Sequence, residues 1–239
     1  MMFGAKVLAF YRELQWVNQL PGGIKVMNPY RQPETIGYVE QFLNRFFSDA
    51  GTRVFVFGIN PGRFGAGLTG VTFTDPVALE RSCGIPNALP KRRELSSEFV
   101  YEFIERWGGV ERFYRQFFLT AVSPLGFTVG GKNYNYYDDE NLFRAAEPFI
   151  IDSMRKQLAC GASRRVAIVF GKGKNQTAFA KLNAMHGLFD SVFALDHPRY
   201  IMQYRRRKLD VYLNEYKSAF EQALRRNSLT STFAYQEAS

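Results

Sequence analysis

Three short runs, RVFVF at 53–57, RRVAIVF at 164–170 and SVFAL at 191–195, are apolar on consecutive residues instead of alternate ones. Strands of this kind are buried on both faces, which a chain this size achieves mainly in a parallel sheet covered by helices. A fourth apolar run, FFLTA, opens at Phe117. The stretches between them carry helical spacing. Ile36, Val39, Leu43, Phe46 and Phe47 recur over Thr35 to Ala50, with Gly51 as a stop, and similar patterns cover Ser96 to Trp107 and Val110 to Gln116. Asp138 and Asp139 cap a long helix to about Cys160, Gly171 to Gly173 turn the chain into a helix over Gln176 to Met185, and Leu209, Tyr212, Leu213, Tyr216, Phe220 and Leu224 share one face of a last helix. Strands joined through helices imply right-handed crossovers. The expected fold class is α/β, a three-layer α/β/α sandwich with a central four-stranded parallel sheet.

The 239 residues show no internal repeat, low-complexity tract or linker, so the chain reads as a single domain, with its core at about 35–226 and a flexible tail at 227–239. The opening segment MMFGAKVLAFYRELQW is interrupted by Lys6, Arg12 and Glu13, which argues against a signal peptide or a membrane span. No membrane partner is expected. Cys83 and Cys160 supply neither a disulfide framework nor metal-ligand spacing, so no metal or cofactor is expected and a reducing, intracellular home fits.

In open α/β sheets ligands bind beyond the carboxyl ends of the strands. Four segments should therefore converge: GINPGRFGAGLTGVTF from Gly58, AVSPLGFTVGGKNYNYYD after Thr120, GKGKNQ after Phe170 and DHPRYIMQYRRRK after Leu195. Pro61 biases Asn60 toward an extended conformation, which carries the strand direction to the sheet edge. Gly58, Gly62, Gly65, Gly67 and Gly70 remove Cβ atoms where a ligand would clash. The loop matches neither the dinucleotide fingerprint nor the phosphate loop of nucleotide hydrolases, and composition alone leaves it either structural or a site. His197 stands where a strand would deliver it to the ligand edge. Arg199, Arg205, Arg206, Arg207 and Lys208 follow it with no intervening acid. With a net charge of +9, these residues suit a polyanionic partner, and Lys172 and Lys174 are better phosphate contacts than Lys91, Arg92 and Arg93, which lie far from the strand ends.

The glycine loop and the HPR triplet together resemble the single-strand-selective monofunctional uracil-DNA glycosylases (SMUG) of the uracil-DNA glycosylase superfamily, specifically their bacterial SMUG-like branch. Gly58, Asn60, Pro61, Gly62, Phe64, Gly65, Thr69, Gly70, Val71 and Phe73 match the first family motif in unbroken register, and His197 to Arg199 match the short second one. The resemblance implies a DNA glycosylase of uracil-DNA glycosylase fold that initiates base excision repair. It would flip a deaminated base out of DNA and hydrolyse its glycosidic bond without cutting the strand. Asn60 would orient the attacking water and His197 would donate to the base. Phe73 would stack on that base, with Gly58, Ile59, Gly62 and Phe64 around it. DNA carrying deaminated bases would be the partner of a monomer that needs no cofactor, cytoplasmic and associated with the nucleoid.

The sequence departs from the family at Ala121, where vertebrate members place an asparagine that reads the uracil edge. Ser123, Asn133, Asn135 or backbone groups would have to supply that reading, and activity on deaminated purines such as xanthine becomes an expectation. A wedge that holds the DNA gap open would come from RYIMQYRRR. Two other readings stay open at this level: a non-catalytic nucleic-acid-binding protein that recognises modified bases, and a small-nucleotide hydrolase. Asp75 and Asp138 read better as caps than as water activators, and nothing in the spacing supports Lys132 as a Schiff-base nucleophile.

Overall fold

The computed structural model describes residues 1–228. Its helices are α1 (Phe3–Glu13), α2 (Pro33–Phe46), α3 (Ala66–Thr69), α4 (Pro76–Arg81), α5 (Leu95–Trp107), α6 (Val110–Gln116), α7 (Glu140–Gly161), α8 (Lys174–His186), α9 (Pro198–Tyr204) and α10 (Leu209–Ser228). Its strands are β1 (Ile24–Met27), β2 (Arg53–Gly58), β3 (Phe117–Ala121), β4 (Gly126–Val129), β5 (Lys132–Tyr134), β6 (Ala162–Phe170) and β7 (Ser191–Leu195). The main sheet has the order β3-β2-β6-β7 with every pair parallel. The four-stranded parallel sheet between helical layers is therefore as the apolar runs require. β2 is buried along its whole length.

The two faces are filled mainly by aromatic rings. On one, Phe3 of α1 packs edge-on against Phe55 and Phe118, and Phe179 of α8 lies 5.3 Å from Phe57. On the other, Phe220 of α10 meets Phe117 at 4.7 Å and Phe170 at 6.2 Å. Successive residues of one strand, such as Phe117 and Phe118, thus serve opposite layers, and each fully buried phenylalanine contributes about 2 kcal/mol.

Two sequence expectations are corrected. The core does not begin at residue 35, because Phe3, Val7, Leu8, Phe10 and Tyr11 of α1 are buried in the same cluster that extends to Ala223. The segment after Ala121 is not all loop: β4 and β5 form a hairpin that joins β1 in a second, antiparallel sheet. Its turn is Gly130–Gly131, both at positive φ, the conformation that tight two-residue hairpins need. α10 includes Asn227 and Ser228, and the rest of the expected tail, 229–239, lies outside the described residues. Among the described residues no helix is long and apolar enough to cross a membrane.

The start of β2 carries a buried charge. The Arg53 side chain is 0% exposed, donates Nη2 to Asp49 Oδ2 at 2.6 Å and Nη1 to the Gly51 carbonyl at 2.6 Å, and lies over the rings of Phe3 and Phe47. The guanidinium in turn pulls the Asp49 carboxyl down to about 2. Asp49→Asn should lower the unfolding free energy by about 2 kcal/mol, less than for a fully buried pair because the carboxylate is half exposed. Since the folded pKa lies below the unfolded one, that increment is present in the native protein above about pH 4 and disappears as pH falls through about 2. Urea unfolding at pH 7 and pH 3 checks both parts: the variant's deficit should be smaller at pH 3.

Candidate active site

A cleft of about 410 Å³ opens at the carboxyl edge of the parallel sheet, the position that the strand order favours because the chain reverses direction around β2. It is lined by Gly58, Ile59, Asn60, Pro61 and Gly62 from the end of β2, Phe73 from the end of the glycine loop, Ala121 from β3, Asn133 and Asn135 from the hairpin, and His197 and Arg199 from the start of α9. Ala66, Thr72, Glu94, Ser96, Tyr200, Gln203 and Tyr204 complete the lining.

Asn60 is held by both ends of its carboxamide. Nδ2 donates to the Tyr134 carbonyl at 3.3 Å, and Oδ1 accepts the Tyr136 amide at 3.2 Å. These bonds settle which end of the amide is nitrogen. Tyr136 is itself anchored, since its buried hydroxyl donates to Asn175 Oδ1 at 2.8 Å and Asn175 Nδ2 donates to the Phe170 carbonyl at 2.9 Å. The loop after β6 thus reaches the site through Asn175.

His197 caps α9: its Nδ1 accepts the Arg199 amide at 3.2 Å. A nitrogen that accepts cannot carry the proton, so the neutral ring is the Nε2–H tautomer with one donor to offer. Burial, reinforced by the Arg199 charge, brings its pKa down to about 4. The ring centroid lies 5.8 Å from that of Phe73.

Phe73 holds φ at +57°, rare for a bulky residue. The buried Thr69 hydroxyl ties this end of the loop by accepting the Val71 amide at 3.1 Å and donating to the Thr74 carbonyl at 2.7 Å. The Phe73 ring packs on Phe170 and fills the space beside Gly58, where a Cβ would come within 2.7 Å of it. A Cβ on Gly65 would meet the Glu94 carboxylate at 2.3 Å. At these two positions the missing Cβ makes room for the protein's own side chains, which corrects the expectation that the glycines simply clear space for a ligand.

Several expected residues stand elsewhere. Ser123 is fully buried, and its hydroxyl donates to the Leu125 carbonyl at 2.7 Å, so it cannot read a ligand in the cleft. Phe64 does not line the cleft, and its ring has the Arg92 guanidinium 3.9 Å and that of Arg63 4.8 Å from its centre. Arg92, expected far from the strand ends, is therefore beside the glycine loop. Lys172 is bound to Asp196 at 3.3 Å and Glu215 at 2.9 Å, which commits it to an ion-pair network and raises its pKa. Lys174 is exposed and does not line the cleft. Arg205, Arg206 and Arg207 follow α9 on the exposed surface: Arg205 lies over the Tyr200 ring, and Arg206 lines a neighbouring groove with Asp75 and Arg93. Asp75 acts as a cap, Oδ1 accepting the amides of Val77 and Ala78. Asp139 caps α7.

Sequence reasoning missed Glu94. Burial and the charge of Asp75 push its carboxyl up, while Arg199 and the amides of Phe64 and Gly65 pull it down. Nothing in the RRELSS stretch marks it. Among the described residues no group of three or more His, Cys, Asp or Glu comes together as a metal site.

The uracil DNA glycosylase superfamily matches residues 45–225. The crystal structure of wild-type SMUG2 from Pedobacter heparinus is similar to this chain with a TM-score of 0.91 and 42% identity, over 93% of this chain and 98% of that one. Among curated proteins there is no match.

The geometry of His197 predicts that it stays neutral from pH 8 to pH 5, with the proton on Nε2. Two-bond nitrogen–proton correlation spectra should show an unprotonated Nδ1 throughout. A titration near the ordinary histidine value of about 6.5 would contradict the assignment.

Proposed function

The chain belongs to the uracil DNA glycosylase superfamily, in its SMUG-like branch, and from that premise we propose that it is a monofunctional DNA glycosylase acting on uracil and on deaminated purines such as xanthine. The damaged nucleotide is flipped from the DNA into the cleft, where its base stacks against Phe73 and runs along the backbone from Gly58 to Gly62. Support comes from one juxtaposition: a carboxamide fixed at both ends and a neutral imidazole with a single free N–H line the same cleft.

The chemistry follows from these two groups. As the bond between the sugar C1′ and the base nitrogen breaks, its electron pair leaves with the base and positive charge develops on the sugar. The His197 Nε2–H donates to the base O2 where negative charge gathers, a contribution of about 3 kcal/mol. The neutral imidazole donates this hydrogen bond and keeps its proton, so it stabilises the departing anion without protonating it. Asn60 orients the water that attacks C1′. A carboxamide cannot take the proton at neutral pH, so the water's proton passes through solvent to the departed base anion, and the rate leans on stabilising that base.

Arg199 holds phosphate at the mouth, and Arg205 to Arg207 extend the basic surface beyond it. Ile201 and Met202 are buried, so the wedge comes from the exposed side chains of this segment, of which Arg199, Tyr200, Gln203 and Tyr204 line the cleft. The enzyme works as a monomer on chromosomal DNA in the cytoplasm.

A base-release assay on oligonucleotides carrying uracil, xanthine, hypoxanthine or normal bases tests the reading. Deaminated bases should be released, with no nick before alkali. Asn60→Ala and His197→Ala should each lose about 100-fold or more in single-turnover rate at an unchanged melting temperature. Binding of lesion DNA with no release at high enzyme concentration would instead make the protein a non-catalytic reader. Charge-neutral variants of Arg199 and Arg205 should flatten the salt dependence of DNA binding by about one counterion each, whereas Lys172→Ala should leave it unchanged.

A further inference from the structure

Ala121 leaves the cleft without the carboxamide that would read a base edge, yet two polar atoms flank one opening in its wall. A Cβ on Gly62 would lie 3.4 Å from Asn133 Nδ2 and 3.5 Å from Glu94 Oε1. We propose that Glu94 and Asn133, facing the bare α-carbon of Gly62 from two sides, read the lactam edge of the flipped base: Glu94 accepts its ring N–H and Asn133 donates to the neighbouring carbonyl. The assignment rests on the glycosylase reading and supplies the specificity element that reading lacks.

Both side chains are held for the task. Asn133 Oδ1 accepts the Arg63 amide at 3.1 Å, which turns Nδ2 toward Gly62. Glu94 is seated through its own backbone amide, which donates to Asp75 Oδ2 at 2.8 Å, the carboxylate whose other oxygen caps α4. Its Oε2 occupies the space a side chain at Gly65 would take, its Oε1 lies on the Gly62 side, and the carboxyl also meets the loop amides of Phe64 and Gly65. Burial already disfavours the charge of this carboxylate, so an arriving N–H supplies what it lacks.

The pairing matches what deamination changes. Cytosine and adenine present a ring nitrogen with a bare lone pair beside an exocyclic amine. Uracil, hypoxanthine and xanthine present a ring N–H beside a carbonyl. The donor and acceptor pattern is inverted at both atoms. An acceptor-only carboxylate beside a fixed amide donor therefore welcomes the deaminated base and repels its parent. Sites that hydrogen-bond a substrate group discriminate strongly against an analogue lacking it. One pair of atoms would serve pyrimidine and purine lesions alike.

Glu94→Gln tests this directly. The loop amides are donors, so the glutamine carbonyl turns to them and its NH2 faces the cleft, matched to cytosine and mismatched to uracil. Binding is measured with DNA carrying 2′-fluoro-2′-deoxyuridine or 2′-fluoro-2′-deoxycytidine, in which fluorine suppresses hydrolysis by opposing positive charge on the sugar. The wild-type protein should favour the uracil analogue by about tenfold or more. Glu94→Gln should abolish or reverse that preference, and Asn133→Ala, on an exposed hairpin residue, should reduce it by about threefold or more. A folded Glu94→Gln protein with an unchanged preference, even if both affinities fall, overturns the proposal. Should that variant fail to fold, Asn133→Ala decides alone. Wild-type protein that releases uracil while the variants keep its preference sinks only the Glu94 and Asn133 assignment. Wild-type protein that neither releases uracil nor distinguishes the analogues sinks the glycosylase reading.

Discussion

The central strand β2 is hydrogen-bonded on both edges and buried on both faces, and the cleft depends on where it ends. A strand so enclosed cannot slide or twist without breaking two ladders and exposing phenylalanine rings on either side. Its geometry continues past the sheet, because the Val122 amide donates to the Gly58 carbonyl and the Ser123 amide to that of Ile59. Asn60 therefore emerges from a rigid rail, which suits the water-orienting role proposed for it. At the other end, the Arg53 guanidinium is locked among Asp49, the Gly51 carbonyl and two aromatic faces.

Around that rail the polar groups are arranged so that few degrees of freedom remain. The Asn60 amide is gripped by the backbone on either side of Asn135, and the grip is fastened through Tyr136 and Asn175 to the end of β6. His197 is fixed by the first turn of the helix it caps. Such preorganisation removes the reorganisation cost at the moment charge develops, which is where most electrostatic catalysis originates. The electrostatics are layered as well: arginines lie outside at the mouth, while the wall beside the glycine loop carries the Glu94 carboxylate. In the proposed reading the basic rim attracts the DNA backbone and the acceptor inside selects among bases, so attraction and discrimination are assigned to different groups.

The strands, the long helices, the cap at Asp139 and the two loops bearing Asn60 and His197 were legible because each is written in local pattern: consecutive apolar residues, helical spacing, a histidine and a proline after a strand. The hairpin carried a legible signal too, the Gly130–Gly131 pair between strand-forming residues, but its alternation is short and interrupted. α1 is harder to read, because Lys6, Arg12 and Glu13 interrupt its apolar run. Lys172 and Ser123 misled for a common reason. A lysine after a strand reads as a phosphate contact until Asp196 and Glu215 are brought beside it, and a serine in a turn reads as available until its hydroxyl is found on the Leu125 carbonyl.

By itself the sequence determined the layer architecture, the residues at the strand ends and the family to which the chain belongs, since these follow from periodicities and contiguous motifs that survive without knowledge of what lies opposite. Tertiary structure alone decided the tautomer of His197, the double grip on Asn60, the retirement of Lys172 from the DNA surface and the entry of Glu94 and Asn133 into the cleft wall. Each of those depends on a partner 19 or more positions away, or on a backbone amide whose direction only the folded chain sets, and hydrogen-bond geometry at such range is invisible in linear spacing.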